Sequence, residues 1–152
     1  MSNLAALGQI WQDDCYYLDK QSGGCKRKYV LILAVEAKTG DCVTVVFTST
    51  PNGLPEQPTC YLDNPRSGFY LGIPGGVLQK ETWLDFNSLE TLDSYDLNLH
   101  TNTGRKILLE QTLPQAVFCA ALRCVMQRQE DIPKREYSWL GDTVAALNCP
   151  YC

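Results

Sequence analysis

The stretch "YVLILAVEAKTGDCVTVVFTST", residues 29–50, decides the fold. Two runs of β-branched and aliphatic residues flank the tetrapeptide KTGD at 38–41. Such runs suit a pleated, buried surface. Gly and Asp between them supply a turn, so the segment reads as a central strand, a turn and its antiparallel neighbour. Upstream, "KQSGGCKRK" is a polar, glycine-containing turn. It leads back to "LGQIWQDDCYYLD", a first strand anchored by Trp11.

Downstream comes a long connection over residues 50–78, of the kind that is functional or mobile in a compact domain. It has room for short strands around Cys60, Tyr61 and Leu62 and around Phe69, Tyr70 and Leu71. "KETWLDFNSLETLD" alternates like a half-buried strand, and "RKILLEQ" reads as a last short one. "TLPQAVFCAALRCVMQRQ" is the helix of the chain. Thr112 is its expected N-cap, Gln115 completes a capping box, and Pro114 lies in the first turn. Val117, Phe118, Ala121, Leu122 and Val125 form its apolar stripe, with Cys124 at the edge and Cys119 roughly opposite. The expected class is therefore mainly β with one C-terminal helix (α+β), a small antiparallel barrel with a helix packed on it. Residues 1–132 make that unit. Residues 133–152 follow as a tail that reads as a short docked helix or a flexible end.

A chain of 152 residues, 45 % hydrophobic and 20 % charged, is the size and composition of one ordered domain. The net charge of −4 argues against a dedicated nucleic-acid coat protein, although a local basic patch still steers a polyanion. The start shows no basic n-region followed by an apolar h-region. No apolar run reaches the length of a membrane span. The expectation is a cytoplasmic protein with no membrane partner. Without a leader, the eight cysteines read as small buried hydrophobes rather than as a disulfide framework. Cys149 and Cys152 form a CxxC, half of a zinc site, which Cys15 and Cys25 would complete only if the fold gathered them. An unliganded tail is the favoured reading, with no metal and no cofactor. His100 is the only histidine and reads as a loop or surface residue. One histidine rules out a multi-His zinc site. "GIPGG" lacks the Lys-Ser/Thr of a phosphate loop.

Three segments, "LGQIW", "KRKYVLIL" with "VTVVFTST", and "LQKETWLDFNSLETLD", resemble in order and spacing the MazF/PemK family of toxin–antitoxin endoribonucleases. The resemblance covers roughly residues 7 to 128. It implies an SH3-like barrel of the MazF/PemK/CcdB kind, a homodimer, and metal-independent cleavage of single-stranded RNA. An antitoxin protein would be the inhibiting partner. The family's catalytic Arg falls at Lys28, with Arg27 one residue earlier, and its Thr or Ser falls at Ser49. Lys28 and Arg27 would stabilise phosphate charge, and Ser49 would assist proton transfer or hold the phosphate. Lys26, Thr48, Thr50, Phe69 and Tyr70 would contact RNA. Lys cannot reproduce the bidentate fork of Arg. Two readings therefore stay open: a nuclease with altered roles, or a catalytically silent barrel that binds a protein or peptide.

Overall fold

The computed structural model describes residues 7–18, 21, 23–49, 56–62 and 67–149. In chain order the elements are β1 (Gln9–Leu18), β2 (Cys25–Val35), β3 (Cys42–Thr48), β4 (Cys60–Tyr61), β5 (Gly68–Gly72), β6 (Thr82–Leu92), α1 (Ser94–Asn102), β7 (Lys106–Thr112), α2 (Gln115–Met126), a 3-10 turn (Gln129–Asp131) and α3 (Lys134–Ala146). The strands form one sheet in the order β4-β5-β6-β3-β2-β1-β7, and every pair is antiparallel.

The hairpin at 29–50 is the middle of this sheet. Gly40 closes its turn with φ +79°, a conformation that costs glycine nothing. Glu36 N–H donates to the Asp41 carbonyl there. Side chains alternate across the sheet, so each strand feeds two cores. Ile10, Leu31, Leu33, Val45, Phe47 and Leu84 face α2 and α3, where Phe118, Leu122, Val125, Leu140 and Val144 meet them. On the other face Trp11, Ile32 and Cys42 pack under Leu97 of α1. Both faces are covered at the centre, which is why residues 30–34 are buried without a break. Each fully buried aliphatic side chain there contributes about 1.5–3 kcal/mol.

The α+β class holds, with corrections to the expected elements. Among the described residues there are three α-helices rather than one. Residues 94–102, which include His100 that reads as a loop or surface residue, form α1 because Asp93 caps it, accepting from the Asp96 N–H at 2.7 Å, and Leu97 buries. α2 begins at Gln115 with Pro114 at its N-cap and no side-chain cap, since Thr112 still belongs to β7. Gln115 instead donates to the Leu147 carbonyl at 3.0 Å. Of the two readings of the tail, the docked helix is seen, as α3 packed into the main core. Residues 150–152 lie outside the described residues. Edges β4 and β7 do not pair with each other among the described residues, so the described strands make an open sheet.

The cysteine expectation is also corrected. Cys15 pairs with Cys25, Cys60 with Cys124, and Cys119 with Cys149, leaving Cys42 as a buried free thiol among the described residues. The last two bonds fasten β4 and the residue after α3 to α2. Cys119, placed by the sequence away from the apolar stripe, is buried because the chain after α3 returns to cover it. No described helix is long and apolar enough to cross a membrane.

Candidate functional site at one end of the sheet

The start of β2, the end of β3 and the approach to β6 converge at one end of the sheet. They enclose a cleft of about 240 Å³, lined by Tyr29, Thr48, Ser49, Leu78, Lys80 and Thr82 among others. Two of its hydroxyls, Thr48 and Ser49, are residues the sequence singled out. Lys80 is not: it lies in the segment "LQKETWLDFNSLETLD" that carries the resemblance, but the resemblance assigns it no role. Its ammonium forms no ion pair with the described residues.

The wall that carries Lys80 is held by β7. Gln111 accepts from the Val77 N–H at 2.9 Å and donates to the Gly75 carbonyl at 2.8 Å. Gly76 has φ +61°, and a Cβ there would run into the Gln111 carboxamide. Glycine is what lets this loop lie against the strand.

Lys28 and Arg27 do not line the cleft. They alternate along β2 and face opposite sides of the sheet. Lys28 is half-buried and lies opposite Asp13 across the β1–β2 ladder. Arg27 Nε donates to Asp14 at 3.2 Å in an exposed ion pair. A bulge is present between Asp13 and Tyr17, but it sits on β1 and not at the start of β2, and Arg27 is held by Asp14. Lys26 pairs in register with Tyr17. Phe69 is buried in the main core and leaves no face for a base. Tyr70 packs on Trp83 at 5.2 Å between centroids, and its hydroxyl donates to Glu81 at 2.9 Å. That bond to a carboxylate, with burial and the Glu81 charge behind it, pushes the Tyr70 phenol up. Thr50 lies outside the described residues.

Beside Lys28 stands a network that sequence reasoning missed. Asp13 is fully buried and accepts from Lys106 Nζ at 2.9 Å, Arg105 Nε at 3.2 Å and the Cys15 N–H at 3.0 Å. Burial by itself would raise the Asp13 carboxyl. The Lys106 bond and charge, then the Arg105 and Cys15 bonds, outweigh it and hold the group below its ordinary range. Arg105 Nη1 lies 3.4 Å from His100 Nε2. Burial, then the charges of Lys106 and Arg105, push the His100 imidazole down, so it is neutral at neutral pH. One signal for Asp13 was legible: it stands two residues after Trp11 on a strand, hence on the same buried face.

Six of the 13 Lys and Arg residues, Lys26, Arg27, Lys28, Lys80, Arg105 and Lys106, gather at this end of the sheet. Among the described residues no cluster of three or more His, Cys, Asp or Glu could hold a metal ion. The zinc reading of the CxxC meets a specific obstacle, because Cys149 is bonded to Cys119, and Cys15 and Cys25 to each other. Comparison with protein-family models, with curated proteins and with solved structures finds no match.

Proposed function

We propose that this domain binds single-stranded RNA across the basic end of its sheet and cleaves it in the Tyr29–Ser49–Lys80 cleft, as a MazF/PemK-like toxin endoribonuclease. The observation that carries the reading is that cleft: two hydroxyls, a cation and an aromatic ring share one opening. The reaction is attack of a 2′-hydroxyl on the adjacent phosphorus, with the 5′-oxygen leaving. It needs a cation at the phosphate, where charge develops. Lys80 meets that need inside the cleft, and Ser49 and Thr48 hold phosphate oxygens. Tyr29 offers a face on which a base stacks. Lys26 and Lys28 track the backbone outside. The same resemblance carries the finer fold, an SH3-like barrel. The register breaks in β1–β2, β2–β3, β3–β6 and β5–β6 support it, because bulges bend strands as barrel closure requires. It also carries the homodimer and the antitoxin partner.

The test is cleavage of a long unstructured RNA by wild type, Lys80→Ala, Ser49→Ala and Lys28→Ala. Wild type cuts, and Lys80→Ala is slower by about a hundredfold. An RNA left intact by folded wild type overturns the nuclease reading. Folded wild type that neither cuts nor binds RNA selects the catalytically silent protein- or peptide-binding module, which the acidic pI of about 4.9 favours.

RNA as substrate goes with a cytoplasmic location. Disulfides that persist in that compartment are rare, and those found there are usually transient and redox-sensing.

A further inference from the structure

We propose that Cys15–Cys25 is a thiol–disulfide exchange site that sets the affinity of the basic strand start for its polyanion. This inference rests on the RNA-binding reading above.

The three disulfides differ in access. Cys119 and Cys149 are 2 % and 5 % exposed, and Cys124 is 2 % exposed. Each of those two bonds therefore has at least one sulfur sealed in the main core. Cys25 is exposed and Cys15 half-buried, so this pair meets solvent. A small thiol in solution reaches it first.

Its position couples it to the site. Beyond the β1 bulge, among the described residues, two residue pairs continue the β1–β2 ladder, Tyr17 with Lys26 and Leu18 with Cys25. The disulfide is the covalent tie across that segment, and Lys26, Arg27 and Lys28 follow Cys25 directly. Cys15 is in turn next to the Asp13 network, since its N–H binds the Asp13 carboxylate. Closing the bond fixes where the three cations stand relative to Asp13 and the cleft. Opening it removes the covalent tie across this hairpin end, and the cations must be ordered each time RNA binds.

The chemistry balances with a small anionic thiol of the glutathione class as reductant. Its thiolate attacks the exposed Cys25 sulfur, forming a mixed disulfide there, and Cys15 leaves as a thiolate that takes a proton. A second thiol attacks the mixed disulfide at the small-molecule sulfur. It releases the Cys25 thiol and a symmetric small-molecule disulfide. Two electrons and two protons pass to the protein. The cations next to Cys25 draw the anionic thiol to it.

The experiment titrates native protein with reduced glutathione and follows each bond by mass spectrometry of alkylated peptides. RNA affinity and amide hydrogen exchange over residues 15–28 are measured on each state. Cys15–Cys25 opens first, the other two bonds stay closed, and RNA affinity falls by about tenfold. The Cys15→Ser, Cys25→Ser double variant, checked for folding by circular dichroism, binds like the reduced form and ignores glutathione. Opening of another bond first, or equal affinity in both states, overturns the inference. If the oxidised protein binds no RNA, the RNA reading fails by itself. Hydrogen exchange then decides the device: faster exchange at 25–28 on reduction supports it, and unchanged exchange overturns it.

Discussion

Asp13 is the residue on which the basic end of the sheet depends. It neutralises Lys106, which is 7 % exposed, and it aims Arg105. Asp13→Asn leaves the Lys106 ammonium buried without a counter-charge, which costs about 3 kcal/mol in urea unfolding. Adding Lys106→Met removes the stranded charge and recovers most of that loss. A double variant as unstable as the single one would show that packing, not charge, holds the site. The pH dependence follows from the same contacts. The Asp13 carboxyl is held below its ordinary 3.8 in the fold, so its stabilisation is complete above that value and is lost as the pH falls below it. The acid limb of wild-type stability is therefore steeper below 3.8 than that of Asp13→Asn. Cys42 gives a second check at this scale. Burial, chiefly, pushes its thiol up to about 12. Iodoacetamide at pH 8 leaves Cys42 unlabelled in folded protein and labels it in denaturant. Rapid labelling of the native state would place it outside the second core.

Among the elements, the loop between β5 and β6 is the one that makes the cleft, and β7 makes the loop. Gln111 holds Gly75 and Val77 by two hydrogen bonds, and those bonds set the position of Lys80. Gly76→Ala combines a positive φ with a clash against Gln111. It lowers stability by about 1–2 kcal/mol. On the proposed RNA-binding reading it also weakens RNA binding, because the Lys80 wall moves. A variant with the wild-type melting temperature and wild-type RNA affinity would separate this loop from the site. The β1 bulge works at the same scale. Next to it Asp14 pairs with Arg27, and an exposed pair of that kind adds little stability.

At the scale of the whole molecule, the charge is distributed against the average. The chain carries −4 overall, yet nearly half of its Lys and Arg residues gather at one sheet end. A polyanion that docks there releases counterions, so affinity falls with salt. Two to four phosphates on single-stranded RNA give a slope of log K against log salt between about −1.4 and −2.8. Lys28→Ala and Lys80→Ala each reduce the slope by roughly one phosphate contact. Affinity independent of salt would instead point to an uncharged partner surface and to the peptide-binding reading. Two of the three disulfides converge on α2, so the sheet edge at β4 and the chain end at Cys149 are tied to one helix. Only the third stands outside the core, where redox chemistry can reach it.

The sequence by itself determined the central hairpin, the strand positions on either side of it and α2, because those depend on local alternation and helical spacing. The run 29–35 could bury only as a strand covered on both faces, and the stripe Phe118, Leu122, Val125 only as a helix against that strand. It also marked Thr48 and Ser49, which the end of β3 carries into the cleft. The rest was decided by tertiary structure. α1 has a weak apolar pattern, and it holds its place through one cap and one buried leucine. The disulfides join cysteines up to 64 residues apart, a pairing no local spacing encodes. Lys80 and the partners of Asp13 reach their places through loops and cross-strand registers. Which charge meets which hydroxyl is fixed only when strands from both ends of the chain lie side by side.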